Sequence, residues 1–415
     1  MAVRTAGLAG RFALTMYLAK YFDLKDIGAF GLIAGAVGIL PCALGCGINY
    51  FLSREIVGAP PLRAGIMLRD RLAFTLAMSV LATTVLATLT GLGVLPVRHN
   101  LLLLIWILIG ESIAFDVHMS LISLRLAVAA NVLLFVRSAG WVFPAIGFGV
   151  FLGPRFRTFD FVLQCWGAGL VVNFVCLYSV VLRDWPLRAI ARTRIDFRWL
   201  GRTVRRASLI YPSDLGIAGQ IYLDRYIVEH YLGMKQVGVY TLYWSMANAV
   251  YVLVTVGVVQ LVVPHLVERH RAGIKGEWRS AFVAELVKIV SIAIPLCLVC
   301  GVVVLQALPR IGMRQFGVWP LVFELMLVGV TMRLVSDVFS QGLYSRNLDA
   351  SYATMNIIGL LISAAITVVL IRHGGLLGVA LGMIISPTVL LAMRGVLLAK
   401  GYMRDAMVAM PRSSA

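Results

Sequence analysis

Charge is scarce in this chain of 415 residues. Only 13% of them are Asp, Glu, Lys or Arg and 60% are hydrophobic, with a mean hydropathy of +0.91. A water-soluble domain carries about 25% charged residues, so the composition excludes that class and places the chain in a membrane. Cysteine is scarce too. Cys42, Cys46, Cys165, Cys176, Cys297 and Cys300 all fall in apolar stretches. The Cys297–Cys300 pair has CxxC spacing, but inside a hydrophobic run it reads as small core residues rather than a redox or zinc site, and no pairing is implied. There is no low-complexity tract, no Ser- or Gly-rich linker and no GxxxxGK[ST] phosphate loop, so ATP hydrolysis by this chain is excluded as the power source. No cofactor and no metal site are expected.

What is present is a series of apolar runs. A spanning helix needs about 20 mostly apolar residues, and twelve such segments can be marked, at 6–22, 27–52, 72–95, 101–122, 127–151, 161–182, 206–231, 237–264, 282–305, 317–343, 350–371 and 375–398. The first is short and carries Arg11. It does not read as a cleavable signal, because the basic residue lies inside the apolar run and no small-residue cleavage site precedes "KYFDLKD". The predicted fold class is therefore an all-α membrane protein of about 12 transmembrane helices.

The basic residues orient these segments. With the N-terminus in the cytoplasm, 22 of the 37 Lys and Arg fall on the cytoplasmic side and nine on the other, the remaining six (Arg11, Arg137, Arg225, Lys288, Arg333 and Arg394) lying inside segments. The excess of Lys and Arg in cytoplasmic loops predicts that both termini are cytoplasmic. The net charge of +18 thus marks one membrane face, where basic loops meet anionic lipid head groups, and does not point to nucleic acid.

The sequence repeats itself. "KDIGAF" at 25–30 opens the second segment, and "KQVGVY" at 235–240 opens the eighth; the same offset aligns Tyr21 with Tyr231, Leu18 with Val228 and Leu24 with Met234. Six segments, an even number, separate the copies, so the halves share one orientation. Transporters built from parallel repeats place their site between the halves. The expected organisation is a six-helix lobe at 1–182, a basic cytoplasmic linker at 183–205 ("RDWPLRAIARTRIDFRWLGR" covers most of it) and a second six-helix lobe at 206–415. The linker has the composition of a partly amphipathic interfacial helix.

The stretch "YLAKYFDLKDIGAFGLIAGAVGIL" and, more strongly, "YLDRYIVEHYLGMKQVGVYTLYWSMANAVYVLVTVGVVQLVVPHLVER" at 222–269 resemble polysaccharide and O-antigen oligosaccharide flippases of the multidrug/oligosaccharidyl-lipid/polysaccharide exporter superfamily. The matching features are Asp224-Arg225, the Gly238-Val-Tyr240 step and the Pro264-His-Leu ending. Helix count extends the resemblance over the whole length, whereas the specific motifs cover about a fifth of it. A departure is the short N-terminus, which lacks the full first helix usual there. The resemblance implies two six-helix lobes around a central cavity in the bacterial inner membrane. It implies alternating access and movement of a polyprenyl-diphosphate-linked oligosaccharide for polysaccharide biosynthesis, with contacts to membrane lipids and to polysaccharide assembly proteins.

Such a substrate needs cations for phosphate and aromatic or amide groups for sugar; no catalytic residue is required. An in-span charge costs roughly 2.5–3.5 kcal/mol on insertion scales, so it faces a protein interior or a water-filled cavity. Arg137 and Arg333, in equivalent halves, are candidate phosphate ligands, because a guanidinium grips phosphate with two parallel hydrogen bonds. Arg333 also suits an intrahelical pair with Asp337, one turn away. Arg137 has no acid three or four residues away, so its partner must come from another helix or from the ligand. Arg225, Asn248 and Tyr251 join the substrate-binding candidates.

The seventh segment adds Asp214, Gln220, Asp224 and Glu229. Asp214 and Arg225, eleven residues apart, fall on nearly one helical face, roughly 16 Å apart along the axis. Pro212 is expected to kink the helix beside Asp214, which fits a proton or Na⁺ site; Asp224 fits either an ion site or a structural pair, and Glu229 an outer-interface residue. The fourth segment is the most polar. Glu111, His118 and Arg125 recur every seven residues, and Ser112, Asp116, Ser120 and Ser123 form a second stripe. Glu111, Asp116 and His118 allow a proton relay or, equally, a static hydrogen-bonded helix contact. No second His at helical spacing supports a metal site.

Other function classes fit less well. A glycosyltransferase or polymerase would want a large outer loop with catalytic acids, but the outer loops here are short, with Asp23, Asp26 and Asp160 as their only acids. A channel or receptor leaves the parallel repeat unexplained. The nearest alternative is an ion-coupled multidrug or small-molecule exporter of the same superfamily.

Overall fold

The computed structural model describes residues 2–91, 100–208, 210–271, 275–310 and 312–408. Among them there are helices and no strands. The first helices are α1 (Ala2–Tyr21), α2 (Leu24–Gly45), the short α3 (Ile48–Glu55), α4 (Pro61–Gly91) and α5 (Leu101–Ser123). Next come α6 (Ala127–Phe151), which includes a π turn at Val136–Gly140, and α7 (Phe159–Val180). Two linker helices follow, α8 (Leu187–Arg192) and α9 (Phe197–Arg206).

The second half runs α10 (Ile210–Tyr222), α11 (Asp224–Leu232) and α12 (Met234–Val254), which continues through a π turn at Thr255–Val259 into Gln260–Arg271. Then come α13 (Lys275–Val302), extended by a π turn at Val303–Ala307, and α14 (Pro320–Ser345). The final helical stretch, Asp349–Val408, is divided at Gly375 (φ 54°, ψ −132°) into α15 (349–374) and α16 (376–408). That left-handed φ is open to glycine at little cost, and the break falls where the eleventh and twelfth segments were expected to part. Close helix approach follows, for a Cβ on Gly378 would lie 2.0 Å from the Leu370 carbonyl oxygen.

With α10 and α11 counted as one broken helix, the twelve expected spans all have a counterpart among the described residues. Seven helical stretches are long and apolar enough to cross a membrane by length and composition. α14 carries three charged residues, Glu324, Arg333 and Asp337. Two boundaries differ from the sequence expectation. α1 begins at Ala2 and is 20 residues long, so Arg11 sits mid-helix. Pro212 does not kink a helix interior: it occupies the first turn of α10, where its missing N–H has no intrahelical partner to lose. The discontinuity lies instead between Tyr222 and Asp224.

The chain forms two compact units, one holding residues up to Asp26 and Phe30–Ala218, the other holding Ile27–Ala29 and residues from Gly219. The linker and the start of α10 belong to the first. Arg69 ties the linker down. Its guanidinium donates to the carbonyls of Thr193 (2.6 Å) and Arg194 (3.1 Å) and to the Thr193 hydroxyl (2.7 Å). Asp70 accepts from the Asp196 amide (3.1 Å), and the Trp199 indole donates to Glu55 (2.8 Å). α9 caps itself with Asp196, whose carboxylate accepts from the Trp199 amide at 2.8 Å, an N-cap worth ~1 kcal/mol. Ile27–Ala29 group with the second unit through the repeat itself. Gly28 of the first copy lies against the second, where an added Cβ would meet the Met234 carbonyl at 2.4 Å and the Gly238 amide at 3.2 Å.

Candidate functional site

Each unit contains its own buried charged clusters. In the first, α5 presents two polar stripes to different neighbours. Glu111, buried on α5, pairs with Arg137 of α6 (Nε to Oε2, 3.2 Å) and accepts from the Trp166 indole N–H of α7 (2.7 Å). Trp166 in turn stacks on Trp141, with centroids 5.1 Å apart and planes 7° from parallel. The partner that Arg137 lacked within its own helix is therefore Glu111. Its Nη1 remains buried without a hydrogen-bond partner among the described residues. Arg137 lies in the π turn Val136–Gly140, a helix irregularity common at functional sites. His118, on the same stripe as Glu111, has Nδ1 3.1 Å from the Ala130 carbonyl of α6, a helix-to-helix contact. Arg125 leaves the stripe. α5 ends at Ser123, and Arg125 is exposed with φ 62°.

The second stripe holds Asp116, which is 1% exposed. It accepts from Arg71 of α4 (2.8 Å), Asn49 of α3 (2.7 Å) and Thr75 of α4 (2.6 Å). Arg71, 0% exposed, also donates to Asn49 (2.9 Å) and to Thr75 (2.7 Å). An isolated buried charge is very costly, and a pair is tolerable only when its remaining valences are bonded; here they are. The serines of that stripe turn back on their own helix. Ser112, Ser120 and Ser123 bond the carbonyls of Leu108, Asp116 and Met119. Asp214, on α10, is half-buried, with no hydrogen bond or ion pair among the described residues.

In the second unit, Asp224 and Arg225 are both buried at the start of α11. Asp224 accepts from the Tyr240 hydroxyl (3.3 Å). The Arg225 guanidinium sits 4.5 Å from the Trp244 ring centroid and 5.3 Å from that of Tyr222, a cation–π clamp. One further cluster joins four helices. Asp337 on α14 accepts from the Tyr251 hydroxyl of α12 (2.8 Å). Arg394 of α16 lies 3.5 Å from Asp337, and Arg333 lies 4.0 Å from it. Arg333 also covers the Tyr251 ring at 4.9 Å. Arg394 is buried and also donates to the Ser336 carbonyl and hydroxyl (both 2.9 Å) and to Asn356 of α15 (3.4 Å). Its Nε has no partner among the described residues. Asn248 is half-buried on α12.

The structure thus brings Arg333 and Tyr251 into one cluster and Glu111 and Arg137 into another, and it seats Asp116 and His118 apart from Glu111's bonds. Sequence reasoning missed Arg71, Asn49, Thr75, Trp166 and Arg394 as members of these clusters. Arg71 had been placed with the basic loop before the third segment. Arg394 carried a readable signal, since a lone cation in "LLAMRGVLL" must find a partner. Among the described residues no group of His, Cys, Asp and Glu is arranged to hold a metal ion.

No protein-family model and no curated protein sequence matches the chain. Solved structures do. A multidrug resistance MATE family transporter of the MOP superfamily, in its inward-facing conformation, aligns with TM-score 0.74 and 14% identity over 97% of this chain and 96% of that one. The lipid II flippase MurJ, in an inward closed conformation, aligns with TM-score 0.73 and 10% identity over 98% and 89%. A MATE structure in the outward-facing conformation gives 0.60 at 12% identity over 98% and 93%. At these identities the likeness is one of fold: the chain has the two-lobed, twelve-helix architecture that MOP-superfamily transporters and flippases share.

Proposed function

We propose that this chain is a flippase that carries a polyprenyl-diphosphate-linked oligosaccharide across the bacterial inner membrane by alternating access. In this reading both termini and the 183–205 linker are cytoplasmic, and the lobes are 1–182 and 206–415. The observation that carries it is the charge balance around Asp337, where two arginines share one carboxylate. Arg333, Arg394 and Asp337 together hold one positive charge in excess, and Asp224, the other carboxylate that acts on Arg333, is itself set beside Arg225. That charge favours a compact anion such as a diphosphate, and Arg333 is the more exposed of the two arginines (24% against 4%). Arg137, with a bond valence left over after Glu111, is the counterpart in the other lobe. Tyr251, Asn248 and the Arg225–Trp244 clamp supply aromatic and amide surface for sugar. The fold supports a lipid-linked cargo, since it is also that of a lipid II flippase.

A second reading, ion-coupled export of small molecules, is favoured by one observation: half-buried Asp214 makes no hydrogen bond or ion pair among the described residues and is open to a proton, Na⁺ or a cationic solute. The test is made in host cells lacking the gene and supplied with variants at verified membrane levels. Losing a charge-assisted hydrogen bond costs ~1.5–3 kcal/mol, so Arg333→Ala and Arg137→Ala should each slow export of surface polysaccharide by one to two orders of magnitude. Lipid-linked oligosaccharide should then accumulate on the inner leaflet. Arg333→Lys should rescue partly, keeping charge without the two-pronged geometry. Normal polysaccharide in both Ala variants would sink the reading. Drug sensitivity from Asp214→Asn with polysaccharide untouched would establish the second.

A further inference from the structure

Helices α13 and α14 border an open groove of about 500 Å³. On α13 its wall runs from Ile294 through Leu298, Gly301 and Val302 to Gln306. At 1.5 Å per residue that is about 18 Å, slightly more than one leaflet of a hydrocarbon core about 30 Å thick. Leu298 (66%) and Val302 (56%) are among its most exposed residues, as expected of a lipid-facing surface. The floor offers no free polar group: the Thr331 hydroxyl donates to the Leu327 carbonyl at 3.1 Å, and Cys297 lies 3.5 Å from that hydroxyl.

One end differs in character. Glu324, in the second turn of α14, is exposed and lines the groove with Gln306. α13 ends and α14 begins nearby, so this end lies near a membrane–water interface. Glu324 has no ion-pair partner among the described residues. A groove one leaflet long, apolar along its body and carboxylate-tipped at head-group depth, matches a chain with a cation at its head. It does not match the lipid-diphosphate proposed as cargo, whose head group Glu324 would repel.

We propose that this groove is a lipid-binding site that holds one acyl chain of an amine-headed phospholipid, with the lipid's ammonium on Glu324 and the chain lying along Leu298, Gly301 and Val302. The inference stands independently of the transported substrate. The ammonium–carboxylate contact is partly solvated and adds modest selectivity, while burial of methylenes supplies most of the affinity.

The test is native mass spectrometry of the full chain in detergent, titrated separately with dioleoyl phosphatidylethanolamine and dioleoyl phosphatidylglycerol. Retention of the first bound lipid should favour the ethanolamine roughly two- to fivefold. Glu324→Gln, a surface change that leaves packing intact, should erase that preference without lowering total binding. Gly301→Leu fills the groove, since a Cβ there already reaches Leu327 at 3.5 Å, and it should lower retention of both lipids. Equal retention of the two lipids by the unaltered chain would overturn the proposal. So would a preference that survives Glu324→Gln, or unchanged binding to a folded Gly301→Leu variant. Preferential retention of phosphatidylglycerol would also overturn it and would point to an anionic amphiphile.

Discussion

Replacing Asp116 with Ala should destabilise the first unit more than any other single change at a charged residue on α5. The carboxylate is 1% exposed and accepts from Arg71, Asn49 and Thr75 at 2.8, 2.7 and 2.6 Å. Removing it leaves the Arg71 guanidinium, 0% exposed, with only neutral partners. Breaking a buried pair in this way costs ~3–5 kcal/mol, a fifth or more of a typical folding free energy of about 5–15 kcal/mol. Replacing both partners with apolar residues of similar volume, Arg71→Met with Asp116→Leu, removes the uncompensated charge and should restore most of the loss. The coupling is measured as a double-mutant cycle by reversible unfolding in mixed micelles. The reasoning fails if Asp116→Ala costs less than about 1 kcal/mol, the range of an exposed pair, or if the double variant is no more stable than the single. Transport by the folded double variant is the second readout. Asp116 has its acceptor oxygens filled by protein donors, so transport should persist; its loss in a folded protein would return Asp116 to the ion-coupling residues.

Two further outcomes can be checked on the same purified protein. Trp166→Phe keeps an aromatic ring against Trp141 but removes the 2.7 Å bond to Glu111; it should cost ~1.5–3 kcal/mol, the range for hydrogen bonds to charged groups, in the same unfolding assay. Arg69→Ala removes the donor that holds the carbonyls of Thr193 and Arg194, so trypsin should cut within 188–206 faster than in the unaltered chain, and an unchanged cutting rate would show that the linker is held by other contacts.

The fold was legible because the membrane makes it so. A bilayer core tolerates few unpaired backbone groups, so apolar length alone marks helices, and each of the twelve segments has a counterpart among the described residues. The "KDIGAF" and "KQVGVY" copies were legible as a repeat, and the structure adds why glycine recurs there: Gly28 lies against Met234 and Gly238 too closely for a Cβ. Which charge pairs with which was not legible. Arg137 and Glu111 are 26 positions apart, and Arg394 and Asp337 are 57 apart, so no helical spacing rule connects them. Proximity along the chain also misled. Pro212 reads as a kink only if the helix starts well before it, and Arg71 reads as loop charge only if α4 starts after it; α10 begins at Ile210 and α4 at Pro61. Periodicity locates the middle of a helix better than its ends, and both residues lie close to where an end had been drawn.

The separation between scaffold and site follows from counting bonds rather than charges. Every in-span ion carries a similar desolvation penalty, so the presence of a buried Arg or Asp says little about its role. Saturation says more. Arg71 and Asp116 satisfy each other with help from Asn49 and Thr75, and a ligand entering there would have to displace bonds already made. Arg333 and Arg394 both pair with Asp337, and among the described residues Arg137 Nη1 and Arg394 Nε have no acceptor. A buried donor without an acceptor costs ~1–3 kcal/mol, and a chain that tolerates several is more stable when an anion supplies the missing acceptors. That gain is available to a diphosphate and unavailable to a cation. The unsaturated arginines therefore suit the anionic cargo proposed above, while Asp214, which has no hydrogen bond or ion pair among the described residues, is open to a proton or Na⁺.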